Sequence, residues 1–351
     1  MVNQLAIATA LGLSTATVSR ALRGRGSHDP RTRALVLEEA GRQGYRLPQR
    51  DDQQDDAPAR VPAIAVVLAT AHPRHGDLPT VALRLLQGIS ARARVLGLML
   101  HVEYLTRDAD GTVPDPADSP ALRAGGGVDG AIVIGDVPAA SLGALAKRFP
   151  LVRICVRDPG CQLDVIGQDD VAAIGELMAH LRSLGHRGIG FCGDGTSRSF
   201  INARAAAFQQ AMLQQGDGPA PLVNVGRETL DAAACAARVA GFIAQGNTAW
   251  ICIHDERAHA LTRMLRERGL RVPEDVSICG FDALPTPHGL PAMTTIDWPF
   301  EDLGGEAVKR VRERLAAPDE PLRMVALPGR LVVRESTARA PSGSGPASEL
   351  G

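Results

Sequence analysis

Between Leu13 and Leu22 the chain reads LSTATVSRAL, a short helical stretch studded with hydroxyls and one arginine. On a helix this spacing presents Thr15, Ala16, Ser19 and Arg20 on an exposed face. Such a set suits nucleic acid: a guanidinium can hydrogen-bond guanine O6 and N7 together, and hydroxyls and a helix N-terminus suit phosphate oxygens. The charge agrees, because residues 1–50 hold eight arginines and no lysine against Asp29, Glu38 and Glu39, near +5 in a chain whose net charge is -1. A local basic head on a neutral chain points to a polyanionic partner; a merely solvated face is the plainer alternative.

Catalytic and metal chemistry find less support. Gly188, Gly190 and Gly193 spell G-x-G-x-x-G, but the first two fall inside a strand-like run, where a dinucleotide's phosphates would have no helix N-terminus to meet. There is no G-x-x-x-x-G-K-S/T, H-E-x-x-H or G-x-S-x-G, and nothing pairs a nucleophile with a base. The six cysteines, at 155, 161, 192, 235, 252 and 279, lack C-x-x-C or zinc spacing. They read as reduced, mostly buried thiols of a reducing compartment. No cofactor, metal or enzymatic activity is expected. No apolar run is long enough to span a bilayer, and the N-terminus lacks a basic n-region and is interrupted by Thr9, Ser14, Thr15, Thr17 and Ser19, so a cytoplasmic protein without membrane contact is expected.

The elements that position these residues follow from local punctuation. A first helix over about 4–11 ends at Gly12, a residue that tolerates the positive φ of a tight turn. Ser14 caps a second helix from Thr15 to about Leu22, and Asp29 with Pro30 starts a third that runs to Gly44. Ala6, Ile7, Ala10, Leu13, Val18, Leu22, Leu35, Val36 and Ala40 are the expected small core. Residues 48–60, PQRDDQQDDAPAR, have linker composition. From Val61 short apolar runs (63–69, 98–104, 130–135, 151–156, 188–193, 249–254 and 276–281) alternate with helical stretches near 80–96, 138–148, 170–184, 202–215, 230–244 and 256–268. A late helix at about 300–315 and strands near 323–334 follow. This alternation implies a parallel sheet covered on both faces by helices. The Gly/Ser/Pro-rich tail, 341–351, is expected to be disordered.

LAIATALGLSTATVSRALRG followed by DPRTRALVLEEAGRQGYRLP resembles the head of the lactose-repressor (LacI/GalR) family of transcriptional regulators, through G-L-S-x-x-T-V-S-R-x-L and the later T-R and G-Y. That resemblance places Thr15, Ala16 and Arg20 at base-reading positions and Ser14, Thr17, Ser19 and Arg33 at phosphate-contacting ones. It continues through VDGAIVI (128–134), HLRSLGHRGIGF (180–191), HDERAHALTRMLRERGLRVPEDVSICGFD (254–282) and MTTI (293–296). It implies an α/β fold: a three-helix head (1–47), and a periplasmic-binding-protein-like body (61–340) of two discontinuous lobes, about 61–160 with 291–320 and 161–290 with 321–340. The crossings between lobes are expected near 160, 290 and 321. The implied partners are near-palindromic operator DNA, a second copy in a homodimer, and a small sugar or sugar derivative held in the cleft between lobes.

For that effector the resemblance nominates Arg204, in NARAAAF, and Asp282, in GFD; an acid and an arginine facing one cleft hold a polyhydroxylated ligand, or form a structural ion pair. His254 stands where a polar amide is frequent and Cys155 where sugar-sensing members often carry an acid. Asp255 is a pocket residue or, the preferred reading, the N-cap of the following helix. Trp298 and Phe300 offer rings that cover a sugar's apolar face or belong to the core. His72, with Arg74 and His75 in the loop after the first strand, hints at an anionic or oxidised sugar. The family's hinge helix has no counterpart here: Gln49 stands for its asparagine, no leucine occurs in 48–60, and Asp51, Asp52, Asp55 and Asp56 would meet phosphates unfavourably, so the linker is expected to stay flexible on DNA. The competing function classes are an α/β enzyme and a carbohydrate-binding protein that acts without DNA.

Overall fold

The computed structural model describes residues 4–23, 30–43, 60–69, 80–106, 114–123, 125–135, 137–156, 160–193, 199–215, 221–224 and 232–341. His72, Arg74 and His75, the linker residues 48–59, Asp29 and the tail beyond Pro341 therefore lie outside the described residues. The chain divides into two units, Met1–Val61 and Pro62–Gly351.

The first unit holds three helices, α1 (Gln4–Leu11), α2 (Thr15–Arg23) and α3 (Pro30–Arg42). Gly12 at φ 65° makes the turn between the first two, and Ser14 caps α2 by accepting from the Thr17 amide at 3.1 Å. Pro30 occupies the first position of α3, where its missing N–H costs nothing. The core is Ile7, Ala8, Val18, Ala21, Val36 and Ala40, with Leu11, Leu13 and Leu22 packed against it. Three expected core residues are not in it: Ala6 and Ala10 are exposed, and Leu35 is 55% exposed. Helix α1 is apolar around most of its girdle, so its sequence carries little information about which side faces inward.

The second unit contains two six-stranded sheets. The first runs β11-β5-β4-β3-β1-β2, from β1 (Ala63–Ala69), β2 (Met99–Tyr104), β3 (Gly130–Gly135), β4 (Leu151–Ile154), β5 (Asp164–Gln168) and β11 (Met324–Leu327), and all its neighbours are parallel. The second runs β12-β10-β9-β8-β6-β7, from β6 (Gly188–Gly193), β7 (Leu222–Asn224), β8 (Asn247–Cys252), β9 (Ser277–Phe281), β10 (Thr294–Asp297) and β12 (Arg330–Val332); only β12 is antiparallel to its neighbour. Strands β1, β8 and β9 are buried on both faces, as a covered parallel sheet requires. The helices are α4 (Thr80–Val95), α5 (Ala139–Ala146), α6 (Asp170–Ser183), α7 (Ser199–Gln214), α8 (Ala232–Ala244), α9 (Asp255–Glu267) and α10 (Phe300–Ala316). Helices α4 and α10 pack closely because Gly88 and Gly304 let their backbones approach; a side chain at either would strike the other helix.

The strand assignments move the lobe crossings. β5 lies in the first sheet, β10 in the second, and β11 and β12 in different sheets, so the chain changes lobes after Gln168, between Asp297 and Phe300, and between Leu327 and Arg330. The sequence expectation of 160, 290 and 321 is about six to ten residues early at each place. An apolar run announces a strand, yet it does not say which sheet the strand joins, and the expected cuts fell in front of strands that belong to the preceding lobe.

Candidate functional site

Because every strand but β12 runs parallel to its neighbours, the carboxyl ends in each sheet share one edge, where open α/β sheets hold ligands. In the second unit those ends enclose a cavity of about 180 Å³. The first lobe lines it with Val81 and Leu85 from α4, Ile134 and Gly135 from β3, Ile154 to Val156 at the end of β4, and Gln168 at the end of β5; the second contributes Arg204 from α7, His254 after β8 and Asp282 after β9. Phe300, first residue of α10, completes it. Backbone strain collects here: the non-glycine residues with positive φ among those described are Cys155 (61°), Asp282 (97°) and Ala283 (51°). Two of the three line the cavity and the third adjoins Asp282, a placement typical of sites whose geometry the surroundings enforce.

Arg204 is 2% exposed. Its Nε donates to Asp170 Oδ1 at 2.8 Å, one terminal nitrogen to the Ile253 carbonyl at 2.6 Å, and the other to Gln168 Oε1 at 3.2 Å. The guanidinium lies 4.4 Å from the centroid of the Phe281 ring and 5.6 Å from that of Trp298, and the two rings stack at 6.1 Å. These contacts fix its plane and stabilise its charge. Burial works to lower the pKa of Arg204, but Asp170 and Asp282 hold it above its ordinary value. Burial likewise pushes the Asp282 carboxyl up to about 6, against the pull of Arg204, and raises that of Asp170. Burial takes the Cys155 thiol up to about 12, so it stands in the cavity wall as a neutral, weakly polar group.

Arg204, Asp282, His254 and Phe300 thus meet at one cavity. Trp298 does not line it: the ring is 0% exposed and lies beneath Arg204 as core. The helix cap is also reassigned. His254, in extended conformation, accepts from the Arg257 amide through Nδ1 at 3.1 Å and caps α9. Asp255 is turned inward, fully buried, and accepts from the Leu284 amide at 2.8 Å, latching the strained loop that carries Asp282; burial pushes its carboxyl up to about 8, against the lowering effect of that amide. Of the partners in this site, Asp170 and Gln168 escaped sequence reasoning, since Asp169–Asp170 at a strand-to-helix junction reads as a cap, a role that Asp169 performs toward the Ala172 amide. Arg84 was missed as well: it bridges α4 to Asp297 and Glu301 at 3.1 and 2.8 Å, donates to the Trp298 carbonyl, and lies 5.1 Å above Phe300.

On the head, Ser14 and Thr15 are exposed and Thr17 is half-buried. Ser14 Oγ also hydrogen-bonds Thr17 Oγ1 at 2.8 Å. Ser19, expected on the outer face, is only 8% exposed and turns toward the core. Ala16 and Arg20 occupy α2 and Arg33 occupies α3, though their side chains lie outside those described. Among the described residues no cluster suits a metal ion and no helix is long and apolar enough to cross a membrane. All six cysteines are free thiols; Cys155 and Cys161 are half-buried and the others buried.

Comparison with known proteins places these features in context. Residues 178–337 match the family described as periplasmic binding protein-like domain. The chain is 28% identical to the HTH-type transcriptional regulator MalR of Streptomyces coelicolor, over 97% of each chain. The lac repressor dimer bound to operator and an anti-inducer superimposes with a TM-score of 0.66 at 22% identity, covering 96% of this chain and 99% of that one. The transcriptional regulator CelR in complex with cellobiose gives 0.65 at 21%, covering 96% and 100%. With a helical head, a two-sheet body and relatives aligned along nearly its whole length, the chain is similar throughout to HTH-type transcriptional regulators and shares the fold of the lactose repressor.

Proposed function

We propose that this chain is a sequence-specific transcriptional repressor that binds a near-palindromic operator as a homodimer and whose operator affinity is set by a small sugar-like effector. The observation that carries the reading is the convergence of Arg204, Asp282 and His254 from one lobe onto a cavity whose opposite wall is the other lobe. A ligand there touches both lobes, so it favours one lobe arrangement over another, which is what a ligand must do to shift an equilibrium. Relatives of this family act by binding and not by turnover, and no catalytic role is assigned to the cavity.

In the head, α2 is the reading helix. Thr15, Ala16 and Arg20 are assigned to base edges, and Ser14, Thr17 and Arg33 to phosphates; Ser19, tucked against the core, is better placed to hold the helix than to contact DNA. Selection from a random-sequence DNA pool, followed by retardation assays with the selected site, tests this. Arg20→Ala should cost roughly 1–3 kcal/mol and relax preference at one base pair per half-site, whereas Arg33→Ala should weaken all sequences alike. If Arg20→Ala bound every sequence as the parent does, the assignment would be wrong. In the body, Asp282→Asn should abolish ligand-induced thermal stabilisation and the ligand's effect on retardation, while unliganded operator affinity stays unchanged.

A further inference from the structure

Two arginines, one on each lobe, are set into the same kind of arrangement. Arg204 stands on α7 of the second lobe. Its Nε is held at 2.8 Å by Asp170 of the same lobe, and a terminal nitrogen reaches over at 3.2 Å to Gln168, the last residue of β5 in the first lobe. Arg84 stands on α4 of the first lobe. Its Nε and one terminal nitrogen fork onto Glu301 of α10, also in the first lobe, at 2.8 and 2.9 Å. The other terminal nitrogen reaches over at 3.1 Å to Asp297, the last residue of β10 in the second lobe. Each guanidinium is thus anchored on a carboxylate of its own lobe and bonded to a strand end of the other, Arg204 beside the first crossing and Arg84 beside the second.

Aromatic rings join the two clasps. Arg204 lies over Phe281 and Trp298, while Arg84 donates to the Trp298 carbonyl at 3.1 Å and lies 5.1 Å from the centroid of Phe300. The third crossing is tied to the second. Asp297 also meets Arg330, the first residue of β12, at 3.7 Å, and Gly329 has no room for a side chain against Ile296 and Trp298. Helices α4 and α10 are themselves locked together at Gly88 and Gly304, so Glu301 makes Arg84 a rigid part of the first lobe. A hydrogen bond of this length is lost once its atoms part by about half an ångström. The bond to Asp297 therefore persists only near the lobe arrangement seen here, and it favours that arrangement over others.

We infer that Arg84 is a positioning residue that holds the two lobes in this arrangement through Asp297, and that the operator affinity of the unliganded chain depends on its doing so. The second part rests on the function proposed above, in which lobe arrangement governs operator binding, and deepens it by naming a residue of that regulation. An ion pair that only braces α4 against α10 would behave differently: its loss would be felt at the second crossing alone.

Hydrogen–deuterium exchange on the full-length chain tests this with Arg84→Met, Asp297→Ala, Asp297→Asn and the double variant Arg84→Met/Asp297→Ala. Arg84→Met and Asp297→Ala should each quicken exchange about fivefold, the upper end for a partly exposed ion pair. The increase should appear in peptides spanning all three crossings, including 166–170, which Arg84 does not touch. Asp297→Ala leaves the Arg84–Glu301 fork in place and decides the matter should Arg84→Met not fold. Asp297→Asn keeps an oxygen acceptor and should restore most of the protection, and the double variant should be no worse than Arg84→Met. An increase confined to 296–301, or additive effects in the double variant, would overturn the inference. Retardation on the selected operator, with no small molecule added, separates it from the reading beneath. Operator affinity should shift by about two- to fivefold in Arg84→Met and Asp297→Ala alike. If exchange quickens at all three crossings and operator affinity stays at the parental value, Arg84 does hold the lobes, and the dependence of operator binding on their arrangement is what fails.

Discussion

Among the described residues the body holds two nearly sealed arginine–aspartate pairs, and they sit at opposite ends of its strands. Arg310 on α10 is 3% exposed and meets Asp164, the first residue of β5, at 2.7 Å. Its remaining donors go to Glu313 at 3.1 Å, Glu320 at 2.9 Å and the Pro321 carbonyl at 2.7 Å, and Asp164 also accepts from the Arg323 amide at 2.8 Å. Arg204 is as deeply placed and meets Asp170 at the same kind of distance, yet it shares its space with a cavity, three strained residues and a second carboxyl. Burial and charge therefore do not distinguish a structural pair from a functional one. What distinguishes them is how far the surrounding acids saturate the guanidinium: three acids meet Arg310, whereas Asp170 pairs directly with Arg204.

The largest expected effect is at the saturated pair. Arg310→Met should destabilise the chain by about 3 kcal/mol, because the buried Asp164 carboxylate is left with only the more distant Arg314, at 3.4 Å, and Glu313 and Glu320 keep only the exposed Arg323. Chemical denaturation measures this, and the loss should be the same with and without effector. Arg204→Met should cost less, roughly 1.5–3 kcal/mol for the lost charge-assisted hydrogen bonds, since burial already raises Asp170 and the orphaned carboxyl can take a proton. Its signature would be functional: stabilisation by effector should vanish. A loss at Arg204 equal to that at Arg310, with effector response intact, would break the distinction.

This contrast also explains what was legible in the sequence. Helices and strands were, because Gly12, Ser14 and Pro30 act within a few residues of themselves, and because covered strands such as AIAVVLA are apolar throughout. Arg204 and Asp282 were legible only through family resemblance; neither carries a local mark. Asp170 was not, since its partner is 34 residues away and nothing in DDVAAIGEL reports a fold in which α6 and α7 lie side by side. Trp298 shows the converse error: an aromatic beside a lobe crossing has the right address for a ligand ring, but the stacking with Phe281 that takes it into the core depends on packing that no spacing encodes.

A smaller effect follows from protonation. Asp282 and Asp255 both titrate above an ordinary aspartate, near 6 and near 8, with burial as the chief cause. The folded chain thus keeps protons that the unfolded chain releases near pH 4, and each group makes stability fall as pH rises from about 4 to its folded value. At the saturated pair the sign is opposite, for Arg310 holds Glu320 below its usual value and that contribution is lost as pH falls. Asp255→Asn should therefore gain in melting temperature over the parent, by a margin that widens from pH 5 to pH 8; Asp282→Asn should show a margin that stops growing near pH 6. Burial also lowers the pKa of His180, His186 and His259, so the difference between each variant and the parent is the quantity to follow. A margin for Asp255→Asn that narrowed with rising pH would contradict the placement of this carboxyl.

The smallest effect belongs to His254, where a structural and a functional role share one ring. As the cap of α9 its Nδ1 accepts the Arg257 amide, and loss of a cap costs about 0.5–2 kcal/mol. As a cavity residue it presents the same imidazole to the ligand. Alanine removes both roles, but asparagine, a preferred cap, keeps an acceptor for the amide while shortening the reach into the cavity. His254→Ala should lower stability by about 1 kcal/mol, and His254→Asn should restore most of it. Effector affinity should fall in both. If affinity returned together with stability in His254→Asn, the histidine would serve the cavity only by holding α9, and the direct contacts would fall to its neighbours Arg204 and Asp282.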